Sequence, residues 1–480
     1  MAEVCLSGAL RGIAHVPGSK PHGQRSVALA ALGRGTSTLH NVNVCAETRV
    51  LLDACRALGA VTETAGGQLR ITGVDGRPRR PAAVIDLEGS GFAARVLLAM
   101  SCLGEGPVIL TGSPQLAKRP LAPLAALLRA LGARLDPLAP EVLLPAVNWG
   151  GGLDGGTVAI PMADTSQFAS ALLLAAPYAR EPVTLVPERA GVGHHYVTTT
   201  IAMMRAFGAN VATGAATGAG AANGAANGAA NSAAGRRGGQ AGHLAGQIAV
   251  RPGGYLAREV FVGPDATALF CLIAAAVGTE AEITVAGPGQ GAAAPGWHDD
   301  PLVEAAVAIG GRLGLELTTT GAGLRIGGWR PPRERVHVDA AGTPTFVPAL
   351  AAIASRLPRG LRVTGARHLR FHKTDRLGPL LRELGKLGHR FTPILRAGEL
   401  DGFETAPPGP LTGGELRCHG DHRLFMALVL AGLASPDPVT VQGEQTLAAS
   451  FPGFLQCLAG LGATVRASGT PAADVVAVGS

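Results

Sequence analysis

The chain has 480 residues, 47% of them hydrophobic, more than one ordinary core accommodates, so two domains are predicted. A net charge of +7 suits an anionic ligand, but only 4% of residues are aromatic and no Lys/Arg run interleaves with them, which argues against nucleic acid as a partner. The start carries no charged segment leading into an apolar one, and no apolar run is long enough to span a bilayer; a cytoplasmic protein without a membrane partner is expected.

In chain order, Val16-Pro-Gly-Ser-Lys20-Pro-His-Gly-Gln-Arg25 joins an N-terminal strand to a helix. Lys20 and Arg25 sit where the helix macrodipole favours acids, so a structural role alone would place Asp or Glu there, and the two cations mark an anion-binding loop. Strands of alternating Val, Ile and Leu recur after helices in TSTLHNV, GPVILTG, EPVTLVP, AEITVAG, LRVTGA and DPVTVQG, the alternation of an α/β protein. Amphipathic helices end in Leu-Gly or a near equivalent at Gly59, Gly132, Gly208, Gly310, Gly388 and Gly462, spaced 73, 76, 102, 78 and 74 residues apart. Six repeats follow, one of them carrying an insertion. Residues 213–247, an Ala/Gly/Asn-rich stretch with almost nothing to bury, are expected to be a disordered surface loop.

Cations recur in the loops: Arg95 after GSGFAA, Lys118-Arg119-Pro120, Arg370 to Arg376 in RFHKTDR, and Arg423 in HGDHR. Repeats bring equivalent loops to one end of a domain, so these charges are expected to converge on carboxylate or phosphate oxygens. Thr165-Ser166-Gln167 precedes the helix starting ASALLLAAP, where its hydroxyls suit either an N-cap or a phosphate. The seven scattered cysteines, with no CxxC and no His at metal-ligand spacing, read as small core residues, and no metal or other cofactor is expected.

The ordered set PGSKxxxxR, the Gly-rich segment ending in Arg95, KRP, SQF, TDR, DHR and ASFPGF resembles the EPSP synthase (3-phosphoshikimate 1-carboxyvinyltransferase) family over nearly the whole chain outside the insert. The related UDP-N-acetylglucosamine enolpyruvyl transferases fit less well, since they carry Lys-Asn in the first loop where this chain has Ser19-Lys20. The resemblance implies a two-domain inside-out α/β barrel of six βαβαββ repeats, closing on substrate at a two-strand hinge. Residues 1–18 and 257–480 are expected to form one domain and 19–256 the other, in a chain that needs no partner and is a monomer. The resemblance also implies roles. Lys20 and Arg119 would hold the phosphate of phosphoenolpyruvate, Arg376 and Arg423 its carboxylate, Arg25 the shikimate carboxylate, and Thr165, Ser166 and Gln167 the 3-phosphate. Tyr196 would lie at the shikimate ring and Gly91 in the phosphoenolpyruvate loop.

Several positions depart from the family pattern. The serine after the first-loop lysine is Pro21, the catalytic aspartate aligns with Thr345, and the Lys-Glu before TDR is His372-Lys373. The C-terminal lysine aligns with Ala449 and the third phosphate serine with Gly193; a short gap near Pro358 would bring Asp339 to the aspartate's place instead. Threonine cannot act as a base near neutral pH, and losing one general base costs about two to four orders of magnitude in rate. The expectation is therefore a diverged carboxyvinyl transferase of specialised metabolism acting on a shikimate-like acid. Its proton transfers would be rerouted through His372, His422 or Glu47, with His194 and His195 as further candidates. Two alternatives stay open: a lyase acting on a shikimate-like acid without phosphoenolpyruvate, and an inactive anion-binding homologue.

Overall fold

The computed structural model describes residues 1–480 except 7–8, 140–141, 163–164, 189–193, 215–245, 288–299, 372–374, 406–409 and 468–480. The described residues form six four-stranded sheets, each a parallel pair extended by two antiparallel strands. In one of them Gly156–Ile160 runs parallel to Val183–Pro187 with Val158 opposite Leu185, and Ile248–Val250 and Val211–Thr213 complete the sheet. With its sheet, each repeat contributes one helix that is apolar on nearly every side and one that is amphipathic. The first kind comprises Lys20–Leu32, Gly91–Met100, Gln167–Ala175, Ala266–Thr279, Val347–Ile353 and His422–Leu433, whose residues are almost all buried. A helix apolar all round can only be interior, so the sheets and amphipathic helices wrap around it. This is the two-domain α/β architecture of the enolpyruvyl transferases.

The buried side chains fall into two cores. One gathers residues from Val27 to Tyr255, the other Ala2 to Ala14 together with Ala266 to Ala463. The chain crosses between them twice, and the crossing segments are bonded to each other: Ser19 N–H donates to Gly263 O at 2.7 Å and Asp265 N–H to Pro17 O at 2.9 Å. Gly18 has no room for a side chain at this crossing, since a Cβ would lie 1.8 Å from Asn41 O. Edge strands follow the crossing: Arg11–Ala14 pairs with Glu282–Ala286 and Glu259–Phe261 with Thr36–His40, both parallel. Residues 259–261 thus complete a sheet of the Val27-to-Tyr255 core, a few residues past the boundary at 257 read from the sequence.

Five of the six repeat glycines, Gly59, Gly132, Gly208, Gly388 and Gly462, take positive φ as a left-handed helix end requires. Gly310 does not, because it lies within the helix Pro301–Arg312. Gly314 takes the role instead, with φ +95° and a Cβ position only 1.9 Å from Arg330 O. The run Gly310-Gly311-Arg312-Leu313-Gly314 offers three glycines, and only the last follows the helix. The disorder expected for 213–247 lies, for 215–245, outside the described residues; its flanks close a hairpin in which Thr213 faces Ile248.

Candidate active site

A cavity of about 180 Å³ is lined from both cores. Four interior helices begin on its wall: Lys20–Leu32, Gly91–Met100, Gln167–Ala175 and His422–Leu433. Each helix start has N–H groups without an intrahelical partner, of which a side chain takes one (Asp265, Ser90, Thr165 and Asp421 respectively), and carries roughly half a positive charge, so the backbone makes the cavity attractive to anions. Five cations reinforce it, since Lys20, Arg25, Arg119, Arg376 and Arg423 all line the cavity, as the motifs led one to expect.

Their settings differ. Arg25 is buried, donating from Nε to Thr200 Oγ1 at 2.8 Å, from Nη2 to Ser170 Oγ at 3.0 Å and from Nη1 to Pro21 O at 3.0 Å. Its guanidinium lies 4.9 Å from the Phe92 ring centroid and 5.4 Å from that of Tyr196, which fixes the plane of the fork. Burial pulls its pKa down to about 10, which leaves it charged at neutral pH. Arg376 donates from Nε to Asp421 Oδ2 at 2.6 Å and lines the cavity. Arg119 and Arg423 have no side-chain hydrogen bond among the described residues. Burial lowers Arg119, opposed by Glu47 and Asp421. Lys20 Nζ donates to Glu47 Oε2 at 2.9 Å and to Ala449 O at 3.2 Å, so the residue aligned with the family's C-terminal lysine contributes a carbonyl here, not a cation.

Gly91 lies where two arginines meet. A Cβ there would lie 2.2 Å from Arg119 Nη1 and 3.0 Å from Arg95 Nη1. Arg95 itself stands behind the loop, donating to Gly91 O at 2.8 Å and packing over Phe168 at 5.6 Å, and does not line the cavity. Two other cations expected in the site are also elsewhere: Lys118 is exposed, and Arg370 pairs with Glu399 at 2.6 Å on the surface. Repeat symmetry places loops at one end but does not aim every side chain inward.

Thr165, Ser166 and Gln167 line the cavity. Thr165 Oγ1 accepts the Gln167 N–H at 3.1 Å, whereas Ser166, at the N-cap position, makes no capping hydrogen bond. Tyr196 completes this wall, its phenol pKa raised by burial. Thr345 also lines the cavity, while Asp339 is exposed at the end of its strand and accepts the Ala341 N–H at 3.0 Å. Threonine, not Asp339, therefore stands where the family's aspartate was sought.

Of the proposed proton carriers, His422 and Glu47 line the cavity. His422 is buried with neither ring nitrogen hydrogen-bonded; burial, then Lys20, hold its pKa well below the ordinary value, so the ring is neutral at pH 7. His195 lines a smaller neighbouring cavity, and His194, half-buried, lines neither. His372, Lys373 and Gly193 lie outside the described residues. Sequence reasoning missed Gln24, Phe92 and His368, which also line the cavity. Gln24 was accessible in principle, one helical turn beyond Lys20 on the same face. His368, four residues before His372, carried no such signal; burial brings its pKa down to about 4, with Arg376 acting in the same sense and Asp401 opposing.

The EPSP synthase (3-phosphoshikimate 1-carboxyvinyltransferase) family model matches residues 5–230 and 240–458. The chain belongs to the EPSP synthase family. It is 30% identical over 461 residues to the 3-phosphoshikimate 1-carboxyvinyltransferase of Methanocella arvoryzae, covering 95% of this chain and 97% of that one. It is 32% identical to the same-named protein of Methanosphaerula palustris, covering 92% and 95%. Among solved structures, EPSP synthase from Acinetobacter baumannii superposes with a TM-score of 0.75 at 25% identity, over 97% of this chain and all of that one. The enolpyruvyl transferase NikO from Streptomyces tendae shares the fold, with a TM-score of 0.69 at 19% identity over 97% of this chain and 98% of that one.

Proposed function

We propose that this protein transfers the carboxyvinyl group of phosphoenolpyruvate to a hydroxyl of a cyclic acid resembling shikimate 3-phosphate, as a cytoplasmic monomer diverged toward specialised metabolism. The observation that carries the reading is the convergence of five cations and four helix starts on one cavity lined from both cores. Arg25, Thr165, Ser166 and Gln167 grip the acceptor, and Tyr196 packs on its ring. Lys20 and Arg119 take the donor phosphate, and Arg376 and Arg423 its carboxylate in a bidentate fork. The acceptor hydroxyl adds to C2 of the donor while C3 takes up a proton, and the tetrahedral adduct then loses a proton from C3 as phosphate leaves, which restores the vinyl group. The field of cations stabilises charge that grows on the departing phosphate, the largest electrostatic contribution such a site can make. Thr345 cannot take the hydroxyl proton by itself. The family assignment favours transfer over the lyase alternative.

The test is calorimetric titration with phosphoenolpyruvate and shikimate 3-phosphate, separately and together, with phosphate release followed in the mixture and unphosphorylated shikimate alongside. Release that needs both ligands is expected. Binding of a shikimate acid with no effect of phosphoenolpyruvate would refute the transferase reading.

A further inference from the structure

Thr345 is hydrogen-bonded, and its partner lies in a different cavity. Thr345 Oγ1 lies 2.6 Å from Thr267 Oγ1. Thr345 lines the main cavity; Thr267 lines the smaller one, about 10 Å³, together with His22, His195, Asp265 and Asp300. This volume is at the lower edge of what one water needs. The hydroxyl pair is thus a bridge between the site of reaction and a buried group of imidazoles and carboxylates.

We propose that Thr345 and Thr267 relay the acceptor's hydroxyl proton out of the main cavity to His22, which Asp300 backs, so that the base missing at position 345 is supplied one step further away. This rests on the transferase reading given above. As the acceptor oxygen bonds to C2 of the donor, its O–H bond breaks toward Thr345 Oγ1. Thr345 passes its own proton to Thr267, and Thr267 passes one to the small cavity. One proton enters the relay per addition while C3 of the donor takes up a proton from water as the C2=C3 π bond breaks. In the elimination C3 returns that proton to water as the π bond re-forms and the C2–O bond to phosphate breaks, and the relay's proton leaves with the phosphate, so no oxidant or further reactant is needed.

The assignment of His22 as terminus follows from the partners of the four candidates. Asp265 is engaged on both oxygens: Oδ1 accepts the N–H groups of Thr267 and Ala268, each at 3.0 Å, and Oδ2 that of Lys20 at 3.1 Å. Asp300 caps the helix Pro301–Arg312 through Oδ1, which accepts the Leu302 N–H at 2.8 Å. Its Oδ2 lies 3.8 Å from His22 Nδ1, too far for a hydrogen bond but close enough for its charge to favour the protonated imidazole. Among the described residues His195 has no hydrogen-bond partner at either ring nitrogen and no ion pair with a carboxylate. Its pKa is pushed down to about 3 by burial, then by His194 and Arg25. Burial lowers His22 as well, with Asp300 opposing, so the ring is neutral and able to accept.

The experiment compares phosphate release and ligand affinity for the wild type, Thr267→Val, Thr267→Ser, His22→Gln and the double variant Thr345→Asp/Thr267→Val. Valine removes the hydroxyl at nearly constant volume, and serine keeps it. The relay predicts that Thr267→Val and His22→Gln each lose about 10- to 100-fold in kcat, the lower part of the range for general base catalysis, with KM and calorimetric affinities within about twofold of wild type. Thr267→Ser should stay near wild type, and Thr345→Asp should restore kcat in the Thr267→Val background by placing a base directly at the hydroxyl. A merely structural role for Thr267 would not be rescued by a carboxylate at 345. Undiminished kcat in Thr267→Val, or no rescue, overturns the relay; loss in Thr267→Val but not in His22→Gln overturns His22 as its end. A wild type that releases no phosphate overturns the transferase reading and the relay with it.

Discussion

Asp421 holds two structures together, and replacing it with asparagine separates its charge from its shape. Oδ1 accepts the Arg423 N–H at 2.8 Å and opens the helix His422–Leu433; Oδ2 accepts Arg376 Nε at 2.6 Å. The Asp421 side chain is 0% exposed and that of Arg376 6%. Burial alone would raise the carboxyl pKa, but Arg376 and the neighbouring donors outweigh it and hold the group well below the usual carboxylate range. Asparagine caps helices as well as aspartate, yet it has one acceptor oxygen for two donors. Whichever way the amide turns, its NH₂ meets a donor. Asp421→Asn therefore leaves the buried guanidinium partly unpaired, at a cost of about 3–5 kcal/mol.

The assay is urea unfolding of wild type and variant from pH 8 to pH 3. Because the folded pKa is depressed, the carboxylate's contribution is complete above the unfolded value near 3.9 and is lost only as pH falls toward the folded one. The difference between the two proteins should be constant from pH 8 to 5 and shrink only below about pH 4. A difference under about 1 kcal/mol at pH 7, or one that already fades between pH 7 and 5, would refute the account of this pair.

Gly91→Ala should push Arg119 out of place, because a Cβ there lies 2.2 Å from its Nη1; calorimetry should show phosphoenolpyruvate binding weakened about tenfold, the loss of one charge-assisted contact. Gly314→Ala should destabilise by about 2–3 kcal/mol in urea, given φ +95° and a carbonyl 1.9 Å from the new Cβ. Gly310→Ala should stay within about 1 kcal/mol, since it is helical and its nearest contact is the Ile273 side chain at 3.0 Å. His389 is buried against Phe391, and burial brings its pKa down to about 4. The unfolded chain takes up this proton first, so stability should fall as pH drops from about 6.5 to 4, with a slope approaching 1.4 kcal/mol per unit. His389→Phe should reduce the slope by that one-proton contribution, while the part due to the other buried imidazoles remains, as read from urea midpoints.

What the sequence made legible was what local motifs and repetition encode. Lys20, Arg376 and Arg423 were found because each belongs to a short motif at a helix start, which points its backbone the same way in every repeat, and Arg119 because the KRP motif closes a short helix. Arg95 and Arg370 belong to similar motifs but are turned aside by partners the sequence does not announce, the Gly91 carbonyl and Glu399. Gly310 was preferred to Gly314 because composition alone cannot say which of three nearby glycines takes positive φ. Phe92 and His368 matter through tertiary convergence: one stacks on Arg25 from another repeat, the other reaches the cavity from a 3₁₀ turn. Thr267 was invisible for the same reason, since its partner Thr345 is 78 residues away.

The cavity's attraction for anions has two sources that fail differently. Helix starts belong to the backbone and survive any substitution that leaves the helices intact, and four of them face this cavity. Proton transfer has no backbone equivalent, because it needs a side chain of suitable basicity within reach of the reacting oxygen. Arg25, Arg119, Arg376 and Arg423 line the cavity beside those helix starts, whereas Thr345 offers a hydroxyl that is no base near neutral pH. Binding should therefore be the robust property of the site and turnover the sensitive one. The Ala449 carbonyl and Glu47 hold the Lys20 ammonium in the cavity wall. For proton transfer the cavity wall holds His422 and Glu47 themselves, and the hydroxyl pair Thr345–Thr267, 2.6 Å apart, which leads to the imidazoles and carboxylates of the neighbouring cavity. The proposed relay makes turnover depend on that contact between two threonines as well as on the arginines that bind the substrates.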